Sequence, residues 1–95
     1  MSKEITIFYM EGCPYCVNAR KAVQELQGQN ADYAAVRVNW IDENKEAELA
    51  ASYDYFRVPT IYDGREKLYE ASPADRYADI RRQVENALKA VLHKE

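Results

Sequence analysis

The chain has 95 residues, with 13 lysines and arginines against 16 acids and a formal charge of −3, so no basic excess is present to neutralise phosphates and general nucleic-acid binding is excluded. That length suits one small domain over residues 1–95, and 47% hydrophobic with 31% charged residues excludes a disordered chain. No apolar run approaches the ~20 residues of a membrane span.

The opening residues, Met1-Ser2-Lys3-Glu4-Ile5, carry no apolar signal core, so a cytoplasmic protein is expected. Ile5 to Tyr9 is a β-prone run that ends at Glu11-Gly12. From Cys13 the period changes. Tyr15, Ala19, Ala22, Val23 and Leu26 recur at three and four, which predicts a helix with one apolar face. Pro14 suits its first position, and Gly28 with Asn30 closes it. Tyr33 to Ile41 alternates through Val36, Val38 and Trp40, which predicts a strand. Asp42 then caps a short helix over Lys45 to Ser52, with Leu49 and Tyr53 turned inward. Thr60 to Tyr62 and Lys67 to Glu70 read as a hairpin whose loop exceeds two residues. Ser72-Pro73-Ala74-Asp75 has the pattern of a helix start, and an apolar stripe from Tyr77 to Leu92 follows it. The order is βαβαββα: parallel strands from the first βαβ unit, an antiparallel closing hairpin, and helices on both faces of a four-stranded mixed sheet.

Cys13 and Cys16 are the only cysteines. A disulfide scaffold would carry more of them, and a bond between residues three apart closes too small a loop to stabilise much. The pair therefore points to chemistry. The thiolate is the reactive species, and a free thiol with a pKa of ~8.5 is mostly protonated at neutral pH. At a strand-to-helix junction, Cys13 sits where unpaired N–H groups and the helix dipole favour an anion, so its pKa is expected to fall. Cys16, one turn in, reaches the same sulfur from a more shielded place. Disulfide exchange needs that division between an exposed attacking thiolate and a neighbouring thiol that releases the product. Pro14 stiffens the turn, and Tyr15 places an aromatic surface beside the sulfur. A structural zinc site needs more ligands than this pair and the terminal His93 supply, so no metal is expected. A cluster bridging two chains is a separate reading, weakened by the few thiolates available and by the rigid Pro14.

Ile7 to Ala19, with Cys-Pro-Tyr-Cys at 13–16, resembles the active-site strand and helix of a dithiol glutaredoxin, a branch of the thioredoxin superfamily. Val58-Pro59 resembles that superfamily's cis-proline element. The resemblance implies a thioredoxin fold and a monomeric oxidoreductase that reduces disulfides of proteins or of glutathione. Cys13 would be the nucleophile, Cys16 the resolving thiol, and Pro14, Tyr15 and Pro59 supporting residues. No bound cofactor would be needed, and glutathione is the implied co-substrate. A cis turn at Pro59 would leave the Val58 backbone free to pair with an extended substrate.

The second half departs from the glutaredoxin pattern. Arg57 stands where threonine is usual, and the customary Gly-Gly pair after the hairpin is missing from Tyr69 to Asp75. Glu11 stands near a usual lysine, where a carboxylate opposes thiolate formation. Glutathione binding therefore falls to Tyr15, Arg57, Val58, Pro59, Ser72 and Asp75. Arg57 would pair with a carboxylate, or else with its neighbours Asp54 or Glu11. Ser72 and a nearby helix N-terminus would receive a carboxylate, and Asp75 an amine. Residues 38–44 and 53–60 resemble thioredoxin more, which keeps open a protein disulfide reductase recharged by a flavin-dependent reductase.

Overall fold

The computed structural model describes residues 3–94. Met1 and Ser2, on which part of the signal-sequence reading falls, lie outside the described residues. The elements are β1 (Glu4–Tyr9), α1 (Pro14–Gln29), α2 (Ala31–Ala34), β2 (Arg37–Asp42), α3 (Ala47–Ala51), β3 (Thr60–Asp63), β4 (Glu66–Glu70) and α4 (Tyr77–Leu92). Cys13 is the N-cap of α1, and Pro14 takes the first turn, where its missing N–H leaves no gap. The buried face of α1 is Cys16, Ala19, Ala22, Val23 and Leu26.

Four expectations from sequence need correction. Tyr33 lies in α2 and not in a strand, because the Asn30 side chain accepts the Asp32 N–H at 2.8 Å and the Tyr33 N–H at 3.4 Å and starts a new turn. Asp42 caps only the turn ahead of α3, accepting the Asn44 N–H at 2.9 Å, so the helix begins later and turns Ala50 inward while Leu49 is exposed. The hairpin loop is just Gly64-Arg65, with Gly64 at φ 59. A register shift between Ile61 and Tyr62 takes up the residue that had suggested a longer loop. The helix start at Ser72-Pro73 does not materialise. Those residues form a tight turn, and α4 begins after Arg76, whose N–H the Asp79 carboxylate accepts at 2.9 Å.

The sheet order is β2-β1-β3-β4, with β1 parallel to β2 and antiparallel to β3. One face carries α1 and α4, whose Ile80, Val84 and Leu88 pack with Ile5, Ile7 and Ile61 of the sheet. The other carries α3, with Phe8, Ile41, Ala50 and Tyr62 packed against Tyr53, Tyr55 and Val58. Helices thus cover both faces of a four-stranded mixed sheet, the thioredoxin fold that the sequence implied.

Strand order also places the site. Phe8 of β1 pairs with Thr60 of β3. The loop leaving β1 toward Cys13 and the Val58-Pro59 segment entering β3 therefore meet at one end of the sheet's two central strands.

Candidate active site

Cys13 and Cys16 are both free thiols. The Cys13 sulfur accepts the Cys16 N–H at 3.3 Å, the cap bond that opens α1. Its thiol also faces the Val58 carbonyl at 3.8 Å, across the cis Val58–Pro59 peptide. Residues 45 positions apart in the chain are thus brought together, as the sequence motif and the proline suggested separately.

Exposure does not divide the two cysteines as expected. Cys13 is 6% exposed and Cys16 5%. The physical reason is the cap itself. It folds the Cys13 side chain back over the first turn, and the Val58 segment closes the other side. The division lies in the Cys16 thiol, which burial, and then the contact with Cys13, pushes up from 9.0 to about 12. Cys16 therefore stays protonated at neutral pH.

This shift has a consequence for stability. A thiol kept neutral by the fold contributes stability below the unfolded value of 9.0, and the contribution is lost as pH rises toward about 12, because the unfolded chain releases that proton first. Urea unfolding of the reduced protein, compared between about pH 7 and about pH 10, is expected to lose more stability in the wild type than in Cys16→Ser. The half-buried Tyr69 and the buried Tyr62, also pushed up by burial, titrate in both proteins and drop out of the difference.

Two cavities lie at this site, and the first is lined by both cysteines. A cleft of about 310 Å³ is lined by Tyr9, Glu11, Cys13, Cys16, Val17 and Arg20 among others. The Arg20 guanidinium lies 4.2 Å from the Trp40 ring centre, which fixes it against β2. A smaller cavity of about 120 Å³ is lined by Tyr15, Arg57, Val58, Ala71, Ser72 and Pro73. Four of the six residues named from sequence for glutathione line this cavity. The Tyr15 hydroxyl donates to the Pro73 carbonyl at 2.8 Å and so ties its wall together.

Pro59 lies behind the cavity, buried, with its carbonyl accepting the Ala71 N–H at 3.0 Å. Asp75 does not line the cavity. Its carboxylate accepts the Tyr69 hydroxyl and, at 3.0 Å, the Ser72 N–H, so it holds the 72–75 turn closed. The helix N-terminus expected beside Ser72 lies at Arg76–Tyr77 instead. Arg57 forms no ion pair among the described residues, so neither Asp54 nor Glu11 holds it. No group of three or more His, Cys, Asp or Glu side chains is gathered for a metal among the described residues. No helix among them is long and apolar enough to cross a membrane.

The family model for glutaredoxin matches residues 5–67, two thirds of the chain. The chain belongs to the glutaredoxin family. It is therefore a glutaredoxin-type thiol–disulfide oxidoreductase working through the Cys13/Cys16 pair, and its family implies glutathione-linked chemistry. Among solved structures, a mutant thioredoxin from Halobacterium salinarum NRC-1 is similar at 22% identity and TM-score 0.57, over 90% of this chain and 74% of that one. A protein described as malarial is similar at 17% identity and TM-score 0.60, over 90% and 96%. These likenesses support the fold. No curated protein sequence matches the chain. The glutaredoxin match ends at Lys67, just ahead of the stretch where the Gly-Gly pair is missing.

Two residues at this end of the sheet escaped the sequence reading. Phe56 is 92% exposed beside Arg57 and Val58, and Glu70 accepts the N–H groups of both Phe56 and Arg57. An aromatic residue two before the Val-Pro pair was the available signal for the first. Glu70 gave none, because it acts on backbone atoms 13 and 14 residues away.

Proposed function

We propose that Cys13 is the nucleophile and Cys16 the resolving thiol in reduction of protein and glutathione mixed disulfides. The Cys13 sulfur attacks one sulfur of the substrate disulfide, forms a mixed disulfide and releases the other sulfur as a thiolate, which takes up a proton. Cys16, once deprotonated, attacks Cys13 and releases the second thiol. The two electrons then reside in the released thiols, and the oxidised Cys13–Cys16 pair is restored by two glutathione molecules, which become oxidised glutathione. The observation that carries this reading is the position of Cys13 at the N-cap of α1, its sulfur facing the Cys16 N–H on one side and the Val58 carbonyl on the other.

Glutathione would enter along the Val58 edge. Its carboxylate would meet the free Arg57 guanidinium, with Tyr15 and Ser72 as cavity walls. Asp75 would serve by holding the turn that carries Ser72. A cavity of about 120 Å³ seats one end of the tripeptide and leaves the rest on the surface. The protein would act as a monomer in the cytosol, where the glutathione poise keeps dithiols reduced.

The inward-turned Asp75 and the small cavity favour one second reading, a dithiol reductase recharged by a flavin-dependent reductase. The experiment that separates the two is glutathione-driven reduction of a small mixed disulfide, read as NADPH consumption through glutathione reductase. Turnover above a Cys13→Ser blank is expected. Absence of turnover in protein whose Cys13 still alkylates would assign the electrons to another donor.

A further inference from the structure

We propose that Glu70 is a positioning residue that presets Arg57 as the carboxylate receptor of the glutathione site. The inference rests on the glutathione reading above and adds the group that shapes that site. Arg57 lines the smaller cavity, and its segment has no helix or strand of its own. Its backbone is nevertheless held at both polar groups by side chains. The N–H donates to a Glu70 carboxylate oxygen at 2.9 Å, and the carbonyl accepts the hydroxyl of the buried Thr60. Thr60 and Glu70 face each other across β3 and β4, so the end of the hairpin grips Arg57 from two strands at once.

The Glu70 carboxylate is fully engaged. The oxygen that takes the Arg57 N–H also accepts the Phe56 N–H at 2.8 Å, while the other oxygen takes the Lys67 ammonium at 2.7 Å. Successive N–H groups that converge on one point make an anion nest, and here the protein's own carboxylate fills it. Lys67 balances that charge, and the Arg57 guanidinium forms no ion pair among the described residues, with Glu70 or any other acid. A clamped backbone under an unpaired guanidinium is a preorganised receptor. A ligand carboxylate that binds there orders the side chain alone and not the segment beneath it, which lowers the cost of association. Charge-assisted hydrogen bonds between guanidinium and carboxylate supply the gain. Without Glu70, both N–H groups lose their acceptor, and the Arg57 backbone keeps only Thr60. The clamp therefore favours disulfides that carry a carboxylate, as glutathione does, over neutral ones.

The test uses Cys16→Ser as the background, so that each reaction stops at the mixed disulfide on Cys13. Reduced protein is mixed with excess oxidised glutathione or with bis(2-hydroxyethyl) disulfide, which has no carboxylate. In both, the Cys13 thiolate attacks one sulfur and the other leaves as a thiolate. Second-order rate constants for modification of Cys13 are read by acid quench and mass spectrometry, and their ratio isolates the carboxylate. Arg57→Gln is expected to lower that ratio about tenfold. Glu70→Ala is expected to lower it about fivefold, and Glu70→Gln, whose amide oxygen still accepts both N–H groups, to keep it within about twofold of the background protein. Glu70→Ala added to Arg57→Gln is expected to bring no further fall, because Glu70 acts through Arg57. A general loss of folding slows both disulfides and leaves the ratio unmoved. Glu70→Ala at the background ratio, Glu70→Gln as impaired as Glu70→Ala, or a full further loss in the double variant would each overturn the positioning role, while a lowered Arg57→Gln ratio keeps the glutathione reading. An Arg57→Gln ratio equal to the background would overturn both.

Discussion

Cys13→Ser is expected to bring reduction of protein and glutathione mixed disulfides down to the uncatalysed rate. A serine hydroxyl forms no disulfide, so no mixed disulfide with the protein can replace the first step. Cys16 cannot take over. Its thiol is pushed up by burial, which keeps it protonated at neutral pH. The sulfur also sits within the first turn of α1, behind the cap. A loss of at least ~10³-fold in kcat/KM is expected, measured in the glutathione-coupled assay on folded protein. Full protein-disulfide reduction by this variant would reverse the roles assigned to the two cysteines.

Cys16→Ser is expected to separate the substrates. With a protein disulfide, the mixed disulfide on Cys13 has no intramolecular thiol to break it and waits for an external one. The wild-type thiol stands one helical turn away, at an effective concentration far above that of any free thiol, so protein-disulfide reduction should fall about 10²-fold or more. A glutathione mixed disulfide needs only a second glutathione, and its turnover should persist. Trapped covalent complexes with protein substrates, visible on non-reducing gels, are the accompanying signature. Equal loss on both substrates would mean that Cys16 acts before the mixed disulfide forms.

Legibility followed the range of the interactions. The strand over Ile5–Tyr9 and the helix behind Pro14 were readable because a switch from period two to three-and-four falls at Cys13, and the cap and proline agree with it. Errors arose where one residue type serves two competing local structures. Asn30 looked like a helix stop and is also the cap of the next turn. Ser72 and Asp75 carry the cap-and-acid spacing, yet the Asp75 carboxylate is taken up by Tyr69 and the Ser72 N–H, and the helix waits for Arg76 and Asp79. The hairpin loop was misjudged because a register shift within a strand cannot be seen in spacing alone.

At the site, the motif revealed the chemistry but not the burial of Cys13. The carbonyl facing its sulfur comes from Val58, placed there only when β3 pairs with β1. Tyr15, Arg57, Val58 and Ser72 line one cavity; Tyr15 and Val58 stand where the family pattern puts site residues, while Arg57 and Ser72 stand where the chain departs from it. The inward turn of Asp75 was not legible, since its partners are a hydroxyl and an amide that sequence does not aim. Glu70 belongs to the same kind, a carboxylate whose work is done on distant backbone.

The division of labour between the thiols is the centre of this account, and one measurement reaches it directly. Reduced Cys16→Ser and Cys13→Ser proteins are each incubated with oxidised glutathione at neutral pH, quenched with acid and mapped by mass spectrometry. Rapid uptake of one glutathione at Cys13 in the first protein, with the second left unmodified over the same time, is the expected result. Uptake at Cys16 in the Cys13→Ser protein, as fast as at Cys13 in the other, would contradict it.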